Sequence, residues 1–205
     1  MTAWPHLKRG LVAILRGVKP DEVLAIGEVL VAAGFDAIEV PLNSPEPFVS
    51  IGRLVKRFGA SCLIGAGTVL TAEDVKQLAG VGGRLMVSPN VDEAVLAEVA
   101  RQGLISMPGV FTPSEAFRAL QAGASALKFF PASALGASGI GAVKAVLPKS
   151  TVLGAVGGVS DADFTTYAKA GVTVFGLGSS LYKPGATAAE VAERAKAAVT
   201  AWDRM

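Results

Sequence analysis

The chain has 205 residues, with 19 Lys and Arg against 17 Asp and Glu, one His and one Cys, for a formal net charge of +2. Scattered basic residues and so small a net charge argue against a nucleic-acid or membrane-surface partner held by bulk charge, and one His with one Cys argues against the usual zinc ligand sets. The mean hydropathy of +0.50 comes from Ala, Val and Gly in short segments, and no apolar run approaches the roughly 20 residues that span a bilayer.

No linker or low-complexity stretch divides the sequence, so residues 1–205 read as one domain long enough to bury a sizeable core. Met1 to Gly10 carries charges but no signal-peptide hydrophobic core, and Leu11–Leu15 is too short to be one. Cys62 has no cysteine to pair with and lies in an apolar run, so it reads as a buried, reduced thiol. A cytoplasmic protein is expected. His6 falls in a terminal segment expected to be mobile.

A repeat runs through the chain: an alanine-rich helix, a glycine, then a short apolar strand. Gly34, Gly59, Gly83, Gly103 and Gly123 recur every 20 to 25 residues, and Gly171 follows after a gap long enough for two units. Glycine just past a helix is the usual left-handed cap, and a period of this size marks a βα unit. In chain order the pattern predicts strands near 11–15, 36–40, 61–65, 84–87, 104–107, 125–129, 151–155 and 173–177. Helices are predicted near 20–33, 45–58, 71–80, 91–102, 113–122, 138–147, 160–170 and 187–203. Start signals stand at Pro20-Asp21-Glu22, Thr71 to Asp74, Thr112 to Glu115 and Ser160 to Asp163. Eight strands alternating with eight helices predict a compact closed (β/α)8 TIM barrel, with an open doubly wound sheet as the alternative.

In such a barrel the reactive groups sit at the C-terminal ends of the strands. The unusual residues of this chain cluster there: Arg16, Glu39, Gly67-Thr68, Ser88-Pro89-Asn90, Pro108-Gly109, Lys128, Gly157-Gly158 and Gly178-Ser179. Successive strand residues face opposite sides. Leu127 and Phe129 therefore face outward while Ala126, Lys128 and Phe130 face the axis. By the same alternation Ile38 and Val40 face outward and Ala37 and Glu39 inward. Lys128 and Glu39 then share one interior, either as a structural ion pair or as a nucleophile with a carboxylate for proton transfer. A lysine attacks a ketone only when neutral, and an apolar interior disfavours its ammonium form. The imine formed on a 2-keto acid is an electron sink that needs neither metal nor cofactor. Lysine with glutamate and no metal ligands fits Schiff-base chemistry rather than metal-dependent aldol cleavage.

The glycines after the last two strands, with Ser179 and a short helix expected at Ser179–Tyr182, suit a phosphate held by backbone N–H groups; ordinary turn chemistry is the bland reading. Arg16 needs an anion or water. Thr68 is either a turn residue or a hydroxyl near the substrate. Pro89 and Phe130 are wall residues, and Phe130 reads equally as core. Trp4 and Trp202 are packing residues.

Taken in order, Leu15-Arg16-Gly17, Ile38-Glu39-Val40, Gly65-Ala66-Gly67-Thr68, Ser88-Pro89-Asn90, Pro108-Gly109-Val110, Lys128-Phe129-Phe130-Pro131, Gly157-Gly158-Val159 and Gly178-Ser179 resemble the small class I aldolases that cleave 2-keto-3-deoxy-6-phospho sugar acids. The resemblance spans nearly the whole chain. It implies that Lys128 forms the Schiff base and Glu39 shuttles protons. Arg16 and Thr68 would lie in the substrate pocket, and Gly157, Gly158, Gly178 and Ser179 would bind phosphate. It also implies a homotrimer acting on a phosphorylated sugar acid and pyruvate. The phosphogluconate branch usually carries an arginine four residues after the strand glutamate and a threonine before the glycine pair. Asn43 and Val156 stand there instead, as in the phosphogalactonate branch, whose substrate is the C4 epimer. A phosphosugar isomerase using Glu39 as base and a non-catalytic phosphometabolite-binding barrel are the rival readings.

Overall fold

A computed structural model describes residues 2–205. The strands are β1 (Leu11–Ile14), β2 (Ala37–Pro41), β3 (Leu63–Gly67), β4 (Leu85–Val87), β5 (Ile105–Met107), β6 (Gly109–Val110), β7 (Leu127–Phe129), β8 (Leu153–Val156) and β9 (Val174–Leu177). The helices are α1 (Val23–Ala33), α2 (Pro47–Phe58), α3 (Ala72–Gly80), α4 (Glu93–Arg101), α5 (Pro113–Gln121), α6 (Ala132–Lys144), α7 (Phe164–Lys169) and α8 (Ala188–Asp203). All strand pairs are parallel, in the order β5-β4-β3-β2-β1-β9-β8-β7-β6.

Strands β5 and β6 are two halves of one barrel strand, parted at Pro108. The first half pairs with β4 and the second with β7. Pro108 has no N–H to donate to a ladder, but its carbonyl accepts from Lys128 N at 2.9 Å, and Ser106 O accepts from Ala126 N at 3.0 Å. These bonds close the sheet into the expected (β/α)8 TIM barrel.

The predicted alternation holds. Ile38, Val40, Leu127 and Phe129 belong to the large cluster between sheet and helices. Ala37 and Ala126 join Val12, Leu63, Leu85, Val87, Met107 and Val174 in a separate apolar layer inside the barrel. Trp4 and Leu7 pack against that inner layer, and the Ser125 hydroxyl donates to Thr2 O at 2.6 Å. The N-terminal segment is thus a plug under the barrel, not the mobile end expected for it, because its apolar residues meet an otherwise open inner layer. His6 remains exposed. Trp202 packs edge-on to Phe164 and Phe175 at the other terminus.

The capping boxes at Thr71/Asp74, Thr112/Glu115 and Ser160/Asp163 form as read, and Thr187/Glu190 adds another. Four expectations need correction. Pro20-Asp21-Glu22 forms a turn, and α1 begins only at Val23, without a side-chain cap. Helix α6 begins at Ala132, six residues earlier than expected, bends at Gly136 (φ 71, ψ 165) and ends at Lys144; Pro131 just ahead of it suits a helix start. Ser179–Leu181 is a single turn rather than a helix, with the N–H groups of Leu181 and Tyr182 both donating to Gly178 O at 2.9 Å. Gly59 closes its helix in the right-handed region (φ −61), and at the 82–83 turn it is Gly82 that takes positive φ. Gly34, Gly103, Gly123 and Gly171 do take positive φ. Among the described residues no helix is long and apolar enough to cross a membrane.

Candidate active site

Lys128 lies midway along β7, 6 % exposed, and Glu39 midway along β2, 2 % exposed. Both project into the interior above the apolar layer. Burial pushes the Lys128 amine down to about 8, against the opposing pull of Glu39 and with a smaller push in the same direction from Arg16. Burial pushes the Glu39 carboxyl up to about 7, while Lys128 and Arg16 draw it down. The two are electrostatic neighbours without forming an ion pair: no Lys128 nitrogen and Glu39 oxygen come within 4.0 Å. Glu39 Oε2 is buried and makes no hydrogen bond within the chain. A structural salt bridge would have closed that gap, because an uncompensated buried charge is costly.

The Phe130 ring stands over Lys128, with Nζ 4.6 Å from its centroid, and it also borders Gly157. A Cβ at Gly157 would fall 3.1 Å from that ring. Phe130 is therefore a wall of the site rather than core. Arg16, at the end of β1, is exposed, and its Nη1 donates to Asn43 Oδ1 at 2.5 Å and to Thr68 Oγ1 at 3.5 Å. This guanidinium hangs over the mouth without touching Glu39. Thr68 holds φ 55, a left-handed conformation that is a genuine outlier for a β-branched residue. Its hydroxyl lies 3.5 Å from both terminal nitrogens of the Arg16 guanidinium.

Beside this polar group a cavity of about 330 Å³ is lined by Ile14, Arg16, Phe130, Val156 and the loops after β8 and β9. Gly157, Gly158, Gly178 and Ser179 all border it. Gly157 (φ 90) and Gly158 (φ 70) are left-handed in succession, which a side chain would resist. Among the described residues, no acceptor takes the N–H groups of Gly158, Val159, Ser179 or Ser180. The Ser180 hydroxyl bridges the two loops through Val159 O at 3.1 Å. Such a cup of unused donors suits an anion.

Six of the ten residues singled out from sequence thus line one cavity, and Lys128, Glu39 and Thr68 stand beside it. Pro89 is the exception. It does not border the cavity; its carbonyl lies over Gly109, where a Cβ would come within 2.2 Å, so it packs across the top of β6. Sequence reading missed Lys183 and Pro184 as lining residues, although the Pro-Gly turn signal at Pro184-Gly185 marks where the chain folds back. Cys62, buried with its thiol pushed up to about 12 mainly by burial, lies outside the site. Among the described residues no group of three His, Cys, Asp or Glu is placed to hold a metal ion.

The model of the family "KDPG and KHG aldolase" matches residues 6–200. The chain is 58 % identical over 199 residues to a probable 2-dehydro-3-deoxy-6-phosphogalactonate aldolase of Rhizobium meliloti (strain 1021), covering 97 % of this chain and 94 % of that one. It is 47 % identical over 195 residues to the 2-dehydro-3-deoxy-6-phosphogalactonate aldolase of Escherichia coli (strain K12), covering 95 % of each. A solved structure described as native KDPGal superposes with a TM-score of 0.96 at 45 % identity, over 99 % of this chain and 98 % of the other. With fold, cavity and sequence in agreement, the chain belongs to the KDPG and KHG aldolase family.

Proposed function

We propose that residues 1–205 act as one class I aldolase unit that cleaves 2-dehydro-3-deoxy-6-phosphogalactonate to pyruvate and glyceraldehyde 3-phosphate. The observation that carries this reading is the burial of Lys128 and Glu39 in one interior with no ion pair between them. Lys128, with its amine made easier to deprotonate by burial, attacks the C2 ketone and forms a carbinolamine. Glu39 gives a proton to the departing hydroxyl, water leaves, and the imine remains. Glu39, now a carboxylate, takes the C4 hydroxyl proton directly or through one water as the C3–C4 bond breaks. The bond electrons pass into the imine to give an enamine, and the aldehyde departs. Protonation of the enamine at C3 and hydrolysis of the imine release pyruvate and restore the amine.

Arg16 and Thr68 hold the substrate carboxylate beside the amine. Phe130 screens the amine from water. Gly157, Gly158, Gly178 and Ser179 hold the phosphate, and Pro89 supports the wall through β6. Asn43, bonded to Arg16, and Val156, on the cavity wall, support the galactonate over the gluconate epimer, as do the names of the two relatives. The reading also takes the active form to be a cytoplasmic homotrimer, which sedimentation of the purified protein tests.

Borohydride reduction with pyruvate present, followed by peptide mass analysis, tests the chemistry: an adduct on Lys128 supports it, and none there rejects it. Turnover of the two C4 epimers side by side tests the substrate, the galactonate epimer being expected to give the higher kcat/KM.

A further inference from the structure

The anion cup after β8 and β9 is built from neutral donors, yet a phosphate monoester near neutral pH carries close to two negative charges. Two cations border the cavity: Arg16 and Lys183. Arg16 is held at the other side by Asn43 and Thr68. Lys183 directly follows the cup. Its ammonium makes no salt bridge among the described residues, and the nearby Glu22 carboxylate already accepts the Tyr182 hydroxyl at 3.3 Å.

The backbone under Lys183 is held from both sides. Ala186 N donates to Lys183 O at 2.9 Å, closing a turn Lys183-Pro184-Gly185-Ala186 with Gly185 at φ 84. Pro at the second position and a positive-φ Gly at the third are the chemistry of a type II turn. Pro184 seats that turn on the loop after β1: a Cβ at Gly17 would fall 2.7 Å from Pro184 Cγ. On the near side Tyr182 is buried and tied to Glu22. A rigid turn that sets an exposed lysine without an ion-pair partner beside a neutral anion cup is more order than a solvated surface lysine requires.

We infer that Lys183 is a further substrate-binding residue, supplying the cation that pairs with the substrate phosphate and so separates phosphorylated from unphosphorylated sugar acids. Arg16 and Lys183 then mark the two ends of the cavity, one for the carboxylate and one for the phosphate. This inference rests on the aldolase reading above.

The test is Lys183→Met, with Lys183→Arg as its rescue. Lys183→Met is expected to lower kcat/KM for the phosphorylated substrate by about ten- to a hundredfold, the range for one charge-assisted contact. It should weaken inhibition by inorganic phosphate by a similar factor and flatten the salt dependence of kcat/KM. Turnover of the unphosphorylated sugar acid and borohydride trapping of pyruvate on Lys128 should stay as in the wild type, and Lys183→Arg should restore phosphate inhibition. Unchanged phosphate inhibition in Lys183→Met would overturn the inference, and so would an equal loss on the unphosphorylated acid. Failure of the wild-type protein to trap pyruvate would instead sink the aldolase reading itself.

Discussion

The Glu39 carboxylate occupies the space that a side chain at Gly67 would need: a Cβ there would lie 2.1 Å from Oε2 and 2.5 Å from Oε1. The last residue of β3 is therefore part of what places the acid of β2. Gly67→Ala should displace the carboxylate while the barrel still folds. A displacement near 1 Å costs on the order of a hundredfold in kcat. Steady-state kinetics with circular dichroism as a folding control checks this, and wild-type kcat in the variant would show that Glu39 needs no such placement.

Lys128→Met should abolish the pyruvate adduct and aldol cleavage. It should also move Glu39, because the lysine draws the carboxyl down against burial. Without that cation the Glu39 carboxyl should titrate above its present value of about 7. Carboxyl infrared difference spectra across pH would register the shift, and an unmoved titration would mean that the two groups are not coupled.

Activity should pass through a maximum with pH. Attack needs the neutral amine, which becomes the major form above about 8, while loss of water needs Glu39 as the protonated acid, its major form below about 7; that step itself generates the carboxylate that takes the C4 proton. The two requirements oppose each other, so kcat/KM should peak between about pH 7 and 8 and fall on both sides. Arg16 lowers both groups, so Arg16→Gln should shift the maximum to higher pH in addition to weakening substrate binding. A pH profile of that variant unshifted from the wild type would count against electrostatic support from Arg16.

Gly157→Ala should act on phosphate rather than on the amine. At φ 90 a side chain costs roughly 1–2 kcal/mol, and its Cβ would press on the Phe130 ring and on Pro131. The expected result is a lower melting temperature with a higher KM, while pyruvate trapping persists. A variant with unchanged stability and KM would show that the left-handed glycine is dispensable.

Chelators should leave turnover intact, because the imine supplies the electron sink that a metal ion would otherwise provide. The check is activity after EDTA treatment and desalting. Loss of turnover restored by an added divalent ion would point to a different mechanism.

The alternation of facing along 37–40 and 126–130 was legible from the chain alone, and with it the convergence of Lys128 and Glu39, because strand geometry depends only on local backbone. The capping boxes were legible for the same reason. Sequence periodicity did not show how the barrel closes. That depends on Pro108 splitting one strand between two partners, a consequence of a missing N–H that matters only once both neighbours are in place.

The same division runs through the site. The order of residues along the chain determined which groups reach the strand ends and which face the axis. Tertiary packing decided the rest: that lysine and glutamate stay unbridged, that Gly67 clears space for a carboxylate two strand positions away, and that Pro184 seats Lys183 against the loop after β1. Each of these is a distance between segments far apart in sequence, and a local pattern carries no such distance.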